Sequence, residues 1–164
     1  MYVMTCTSRG NYKKHRICTI CAAFMAARPG SIAALSGALN TAPESILVPC
    51  IFCGGFLTFQ EKLDFDAKAL SLVWRGNLFL GACARCCYSR ARQDVLENTL
   101  CCFEGDGVEK ICNKPLWEII VRCTYCLKLL TYVEKLACVR RRHPFLLVRK
   151  CWRNKCRYCY RYDW

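Results

Sequence analysis

The residues best able to do chemistry in this chain are cysteines, and they are set out on a repeated ruler. Cys50-x2-Cys53 is followed after 29 residues by Cys83-x2-Cys86, and Cys123-x2-Cys126 after another 29 residues by Cys156-x2-Cys159. Two residues between cysteines let a tight knuckle turn both thiolates toward one point, as a tetrahedral Zn²⁺ requires. Four such pairs with one long spacer predict two zinc ions, each in a Cys₄ site, in two copies of one small domain separated by 36 residues. The rival reading is a secreted disulfide scaffold. The odd total of 17 cysteines, their clustering in knuckles, and the adjacent pairs Cys86-Cys87 and Cys101-Cys102 argue instead for metal in a reducing compartment. Cys6, Cys18, Cys21, Cys87, Cys101, Cys102, Cys112, Cys138 and Cys151 are left over, some of them expected as small buried apolar residues. Four thiolates leave zinc no open coordination position, and His15 and His143 have no companion constellation, so no enzyme is expected.

The elements that must position these thiolates are short. A chain of 164 residues divided by the repeat gives two units of about 40 residues with flanks. Units that small bury too little apolar surface to stand without a staple. A structural zinc contributes about 10–16 kcal/mol of apparent binding energy, much of it folding energy. Ser31 is placed to cap a helix over Ile32–Leu39. Apolar residues at helical spacing predict a helix from Glu61 to Trp74, stopped by Gly76-Asn77. Phe56–Phe59 and Leu78–Leu80 read as strands, and residues 87–103 as a helix joining the units. Gly105-Asp106-Gly107 reads as a turn. In the second unit Leu127–Leu130 reads as a strand, Tyr132–Cys138 as a helix and Phe145–Val148 as the returning strand, with Glu134 and Lys135 echoing Glu61 and Lys62. The fold class expected is α+β, with residues 1–30 an N-terminal extension, 31–86 a first zinc domain, 87–112 a linker helix and turn, and 113–164 a second zinc domain and tail.

Charge is unevenly placed. The formal net charge is +13, and residues 123–164 hold eleven basic and two acidic side chains while residues 31–122 nearly balance. Eight zinc-bound thiolates against two Zn²⁺ would lower the total to about +9, which still favours acidic partners. The apolar stretch Ile17–Ala27, after Lys13, Lys14 and Arg16, mimics a signal peptide but is too short to span a bilayer, so no membrane association is expected. Cys18-x2-Cys21, with Cys6 or His15, offers a third metal site as an alternative, and a functional start at Met25 would leave residues 1–24 dispensable.

Beyond the cysteines, Leu47-x-Pro49-Cys50-x-Phe52-Cys53, Phe65-Asp66, Leu70-x-Leu72-Val73-Trp74, Asn113-Lys114-Pro115-Leu116, Arg122-Cys123, Glu134-Lys135 and Val148-Arg149 followed by Trp152 form a pattern. With the spacing, this pattern over residues 29–161 resembles the papillomavirus early oncoprotein six family, a cutaneous-type member. The resemblance implies an adaptor without catalysis, two zinc domains closing with a helix on an acidic LxxLL helical peptide. By position it implies a peptide pocket lined by Phe52, Leu70, Val73 and Ile120, with Arg122 and Arg149 facing the peptide's oxygens. The alternative for the apolar four is ordinary core packing, and for Arg149 a solvated face. Cys87, Arg90 and Cys151 sit at pocket positions where members differ.

The partners the resemblance implies are a HECT ubiquitin ligase, redirected onto host proteins, or Mastermind-like co-activators, with repression of Notch-driven transcription. The localisation implied is host nucleus and cytoplasm. The ending Arg161-Tyr162-Asp163-Trp164 does not suit a PDZ groove, which leans toward the Mastermind-type branch, and Ala67 at a self-association position implies weak self-association. The competing function is nucleic-acid binding by a basic zinc protein. Arg140-Arg141-Arg142-His143 and the basic C-terminal run interleaved with Trp152, Tyr158 and Tyr160 could hold phosphates and stack bases.

Overall fold

The computed structural model describes residues 28–160. The Cys18-x2-Cys21 pair, the Met25 start and the C-terminal Arg161–Trp164 lie outside the described residues. Helices and strands mix in the order α1 (Ile32–Leu39), α2 (Phe59–Ala67), β1 (Val73–Arg75), β2 (Leu78–Leu80), α3 (Ala84–Asn98), β3 (Thr99–Phe103), α4 (Gly105–Cys112), β4 (Val121–Cys123), α5 (Tyr132–Arg140), β5 (Phe145–Val148) and β6 (Cys151–Asn154). The fold is α+β, and no described helix is long and apolar enough to cross a membrane.

The two units superpose in sequence at a shift of 73 residues, the separation of Cys50 from Cys123. At that shift α1 falls on α4 and α2 on α5, end to end. The eight positive-φ residues among those described form four pairs at the same shift: Asn40 with Asn113, Gly54 with Leu127, Ala69 with Arg142, and Gly76 with Arg149. Both α2 and α5 open on the same capping box, Thr58 with Glu61 and Thr131 with Glu134, each satisfying two orphan helix donors. Both close on a Schellman motif. Leu70 N donates to Phe65 O at 3.1 Å and His143 N to Cys138 O at 3.0 Å, around left-handed Ala69 and Arg142.

Several expected elements change under this frame. The helix expected to run to Trp74 ends at Ala67, because the left-handed Ala69 turns the chain and Val73–Arg75 pairs antiparallel with Leu78–Leu80. Gly76, at φ 59, takes the first central position of the two-residue hairpin, where a type II′ turn demands glycine. Phe56 makes only an isolated bridge to Pro49, and Leu129 one to Arg122, so Phe56–Phe59 and Leu127–Leu130 are not strands. The expected turn at Gly105 opens α4, the counterpart of α1. The linker helix stops at Asn98, because Thr99–Phe103 leaves it to pair antiparallel with β5. Residues 99–112 therefore belong to the second unit, and its sheet runs β3-β5-β6-β4 against the first unit's β1-β2.

Each unit has its own core. Ile32, Leu35, Val48, Leu57, Phe65 and Leu72 fill the first, and Val108, Val121, Leu130, Cys138, Phe145 and Trp152 the second. A smaller cluster of Cys87, Ala91 and Leu127, with Leu70 and Ala82 packed against it, joins the units through α3.

Candidate metal centres and the junction between the units

The knuckles meet as their spacing requires. Cys50, Cys53, Cys83 and Cys86 gather in one cluster and Cys123, Cys126, Cys156 and Cys159 in another, with all Sγ atoms of a cluster within 4.8 Å of one another. Bonds of about 2.3 Å to a tetrahedral zinc put sulfurs about 3.8 Å apart. The Cys53–Cys83 and Cys126–Cys156 separations are 3.9 and 3.7 Å. Backbone supports the same ligand in each copy, Cys83 N donating to Cys50 Sγ at 3.4 Å and Cys156 N to Cys123 Sγ at 3.5 Å. Four thiols this close do not ionise together unaided. Burial opposes a charge on Cys50, yet amide donors from Cys83, Cys53 and Phe52 bring it down to about 6, while burial and neighbouring sulfurs push Cys86 up to about 12. A divalent cation removes that conflict, and an all-sulfur tetrahedral donor set suits zinc. The protein carries two structural zinc ions, one per unit. None of the fourteen described cysteines forms a disulfide.

Glu61 and Glu134 tie the capping boxes to the metal sites. Glu61 Oε1 accepts from Ala84 N at 2.9 Å, and Glu134 Oε1 from Arg157 N at 3.2 Å, in each case the residue after the third ligand. Burial opposes both carboxylates, but these amides, with those of Thr58 and Thr131, hold both below the ordinary carboxylate range. One residue on, Lys62 donates to Pro43 O and Glu44 O at 2.8 and 3.0 Å, and Lys135 to Leu116 O, Trp117 O and Ile119 O at 2.9, 3.4 and 2.5 Å.

The family model described as "Early Protein (E6)" matches residues 50–159, which span both metal centres and everything between. The chain belongs to the E6 family. Among curated relatives it is 39% identical over 138 residues to Protein E6 of Human papillomavirus 25, covering 83% of this chain and 86% of that one. Against Protein E6 of Human papillomavirus type 8 it is 37% identical over 138 residues, covering 83% and 89%. Among solved structures, the C-terminal zinc-binding domain of HPV51 oncoprotein E6 in solution matches at 26% identity and a TM-score of 0.36, covering 37% of this chain and 80% of that one.

Of the residues expected in a peptide pocket, Leu70 and Arg122 lie at the junction of the units, and Phe52 and Arg149 lie against side chains of α3. Leu70 packs on the Cys87, Ala91 and Leu127 cluster. Phe52 is 42% exposed with the Arg90 guanidinium 5.2 Å above its ring. Val73 is half-buried in β1, and Ile120 stands 71% exposed just before β4. Arg122 spans the units, donating to Lys68 O, Ala69 O and Leu127 O at 2.8, 2.9 and 3.0 Å, so its guanidinium already serves the C-terminal end of α2. Arg149 Nε donates to Asp94 Oδ1 at 2.8 Å while its side chain stays 52% exposed.

Asp94 is the residue of this junction that the sequence reading missed. It is 95% buried on α3, faces Arg149 and lies 3.8 Å from Arg153, itself buried on β6. The available signal was its spacing: Cys87, Ala91 and Asp94 fall on one helical face, where an acid is out of place unless paired. Arg149 also occupies a left-handed backbone position, φ 57, that its counterpart fills with glycine. A non-glycine residue there costs about 1 kcal/mol or more, and such strain concentrates at functional positions.

Proposed function

We propose that this E6-family chain is an adaptor that captures acidic, helical LxxLL peptides of host proteins between its two zinc units. The observation that carries the reading is the convergence of Leu70 and Ala82, Cys87 and Ala91 of α3, and Leu127 on one apolar cluster, flanked by Phe52 and by an exposed, carboxylate-held Arg149. Apolar anchors in a groove with guanidinium at the rim are the requirements of helix-in-groove recognition. Capture of this kind would recruit a HECT ubiquitin ligase or a Mastermind-like co-activator in host nucleus and cytoplasm, redirecting degradation or transcription. Such a role asks no chemistry of the protein, since four thiolates close each zinc.

The test is fluorescence polarisation of a labelled acidic LxxLL peptide on the zinc-loaded chain. Arg149→Glu should weaken binding by at least tenfold with zinc still at two per chain, and unchanged affinity would overturn the rim assignment. A pull-down from keratinocyte lysate, competed with LxxLL peptide, then chooses between ligase and co-activator. A second reading, nucleic-acid binding, draws on Lys128 and Arg157 lying over the exposed Tyr158 ring at 4.9 and 4.7 Å. It requires an affinity for DNA or RNA that falls steeply with salt and is indifferent to the peptide.

A further inference from the structure

The solvent face of α5 is more continuously apolar than that of its counterpart α2. Glu134, Lys135 and Cys138 are buried, so Tyr132, Val133, Leu136 and Arg140 face outward. Val133 is 74% exposed, and Trp117, 61% exposed, meets Tyr132 edge-to-face at 6.2 Å and widens the patch. A helix on the surface of a soluble domain ordinarily puts polar residues on this face. The first unit does so in part: at the same shift Phe59 and Leu63 stay exposed in place of Tyr132 and Leu136, but Glu44 stands for Trp117, Gln60 for Val133 and Asp64 for Ala137. One backbone thus carries two different surfaces: polar residues interrupt the first, and the second exposes a continuous cluster of large apolar and aromatic side chains, the kind that marks an interaction site.

We infer that the outer face of α5 with Trp117 is a second docking surface, which takes an acidic amphipathic helix of a partner protein. The charge around it chooses the occupant. Arg140, Arg141 and Arg142 close the C-terminal end of α5, all exposed, in a unit that holds eleven basic side chains in residues 123–164 and two acidic ones. A second copy docking through the same face would bring these arginines together, whereas an acidic helix with apolar residues at i, i+3 and i+4 meets both the patch and its basic end. None of Trp117, Tyr132, Val133 or Leu136 belongs to the apolar cluster around Leu70 and Leu127, so this surface is separate from that one and does not depend on the LxxLL reading.

The test selects a phage-displayed library of random 14-residue peptides on the zinc-loaded chain, with saturating LxxLL peptide present. The expected winners are acidic, have apolar residues at helical spacing, and lose at least tenfold in affinity on Val133→Asp and on Arg140→Glu, with zinc retained at two. Both residues are exposed, so neither variant should disturb the fold. Winners that are basic, lack the helical pattern or bind Val133→Asp equally well would overturn the inference. Sedimentation velocity adds a second arm: a wild-type dimer that Val133→Asp converts to monomer would assign the surface to self-association and overturn the acidic partner.

Discussion

The two units share backbone conformation, capping boxes and metal ligands at a constant shift, yet they differ in how much of each feature they complete. The second unit builds a four-stranded sheet, and the first only a hairpin, although the parallel contact of Cys123 with Asn154 is repeated by that of Cys50 with Gly81. The second metal site has three buried ligands and one half-buried. In the first, Cys53 is exposed. Where α1 begins, Ile32 fills the core and Asp66 accepts from Ile32 N and Ala33 N at 2.8 and 2.7 Å. In the second unit Gly105 replaces Ile32 and Val139 replaces Asp66, and a Cβ on Gly105 would meet Val139 Cγ2 at 2.5 Å. A duplicated architecture has thus been held constant in its turns and ligands, while its paired side chains changed together.

The sharpest way to break the comparison is to remove one metal at a time. Cys83→Ser should abolish the fold of the first unit, a loss on the order of 10 kcal/mol of metal-linked stability, and abolish peptide capture. The second unit, with its larger sheet, should persist, visible as retained amide dispersion for β3–β6 and one zinc per chain. Collapse of the whole chain, or a folded Cys83→Ser protein with two zincs, would contradict independent units.

Asp94→Ala should be next, since it strips a carboxylate from beside buried Arg153. Removing one member of a buried charge pair costs about 3–5 kcal/mol. The first unit carries Leu80 at the place of Arg153, so the loss should register in the melting of the second unit and leave the first unit's zinc affinity unchanged.

Lys135→Ala should cost more than Lys62→Ala, about 2–3 against about 1–2 kcal/mol, because it orphans three carbonyls and not two. Equal losses in chemical denaturation would remove that distinction.

The smallest effect is expected from Glu134→Gln, about 1 kcal/mol at neutral pH. The folded carboxylate titrates below its ordinary value, so its contribution is present above the unfolded value and lost as pH falls through the folded one. The difference between wild type and variant should therefore shrink on acidification, and a gap that widens below neutrality would reverse the assignment.

The metal sites were legible because thiolate geometry dictates spacing, and the family resemblance followed from the residues around them. Helices α1 and α5 were legible from Ser31 and from helical spacing. The end of α2 was not, since an alanine at φ 49 leaves no mark in a sequence where glycine would have. The departure of β3 from the linker was equally hidden, because Thr99–Phe103 becomes a strand only through its long-range pairing with β5. Helix α4 was missed for a different reason. Two glycines near its start read as a turn, although the repeat itself placed a helix there once α1 had been assigned.

The carbonyl cages around Lys62 and Lys135 also bear on how the protein could be marked for turnover. An ε-amine enclosed at 4–5% exposure is out of reach of acetyl or ubiquitin transfer. Among the described lysines, Lys110, Lys114 and Lys150 are exposed and remain open to modification. Each unit has thus withdrawn one lysine from that traffic by using its charge to hold the chain leading into its own zinc site.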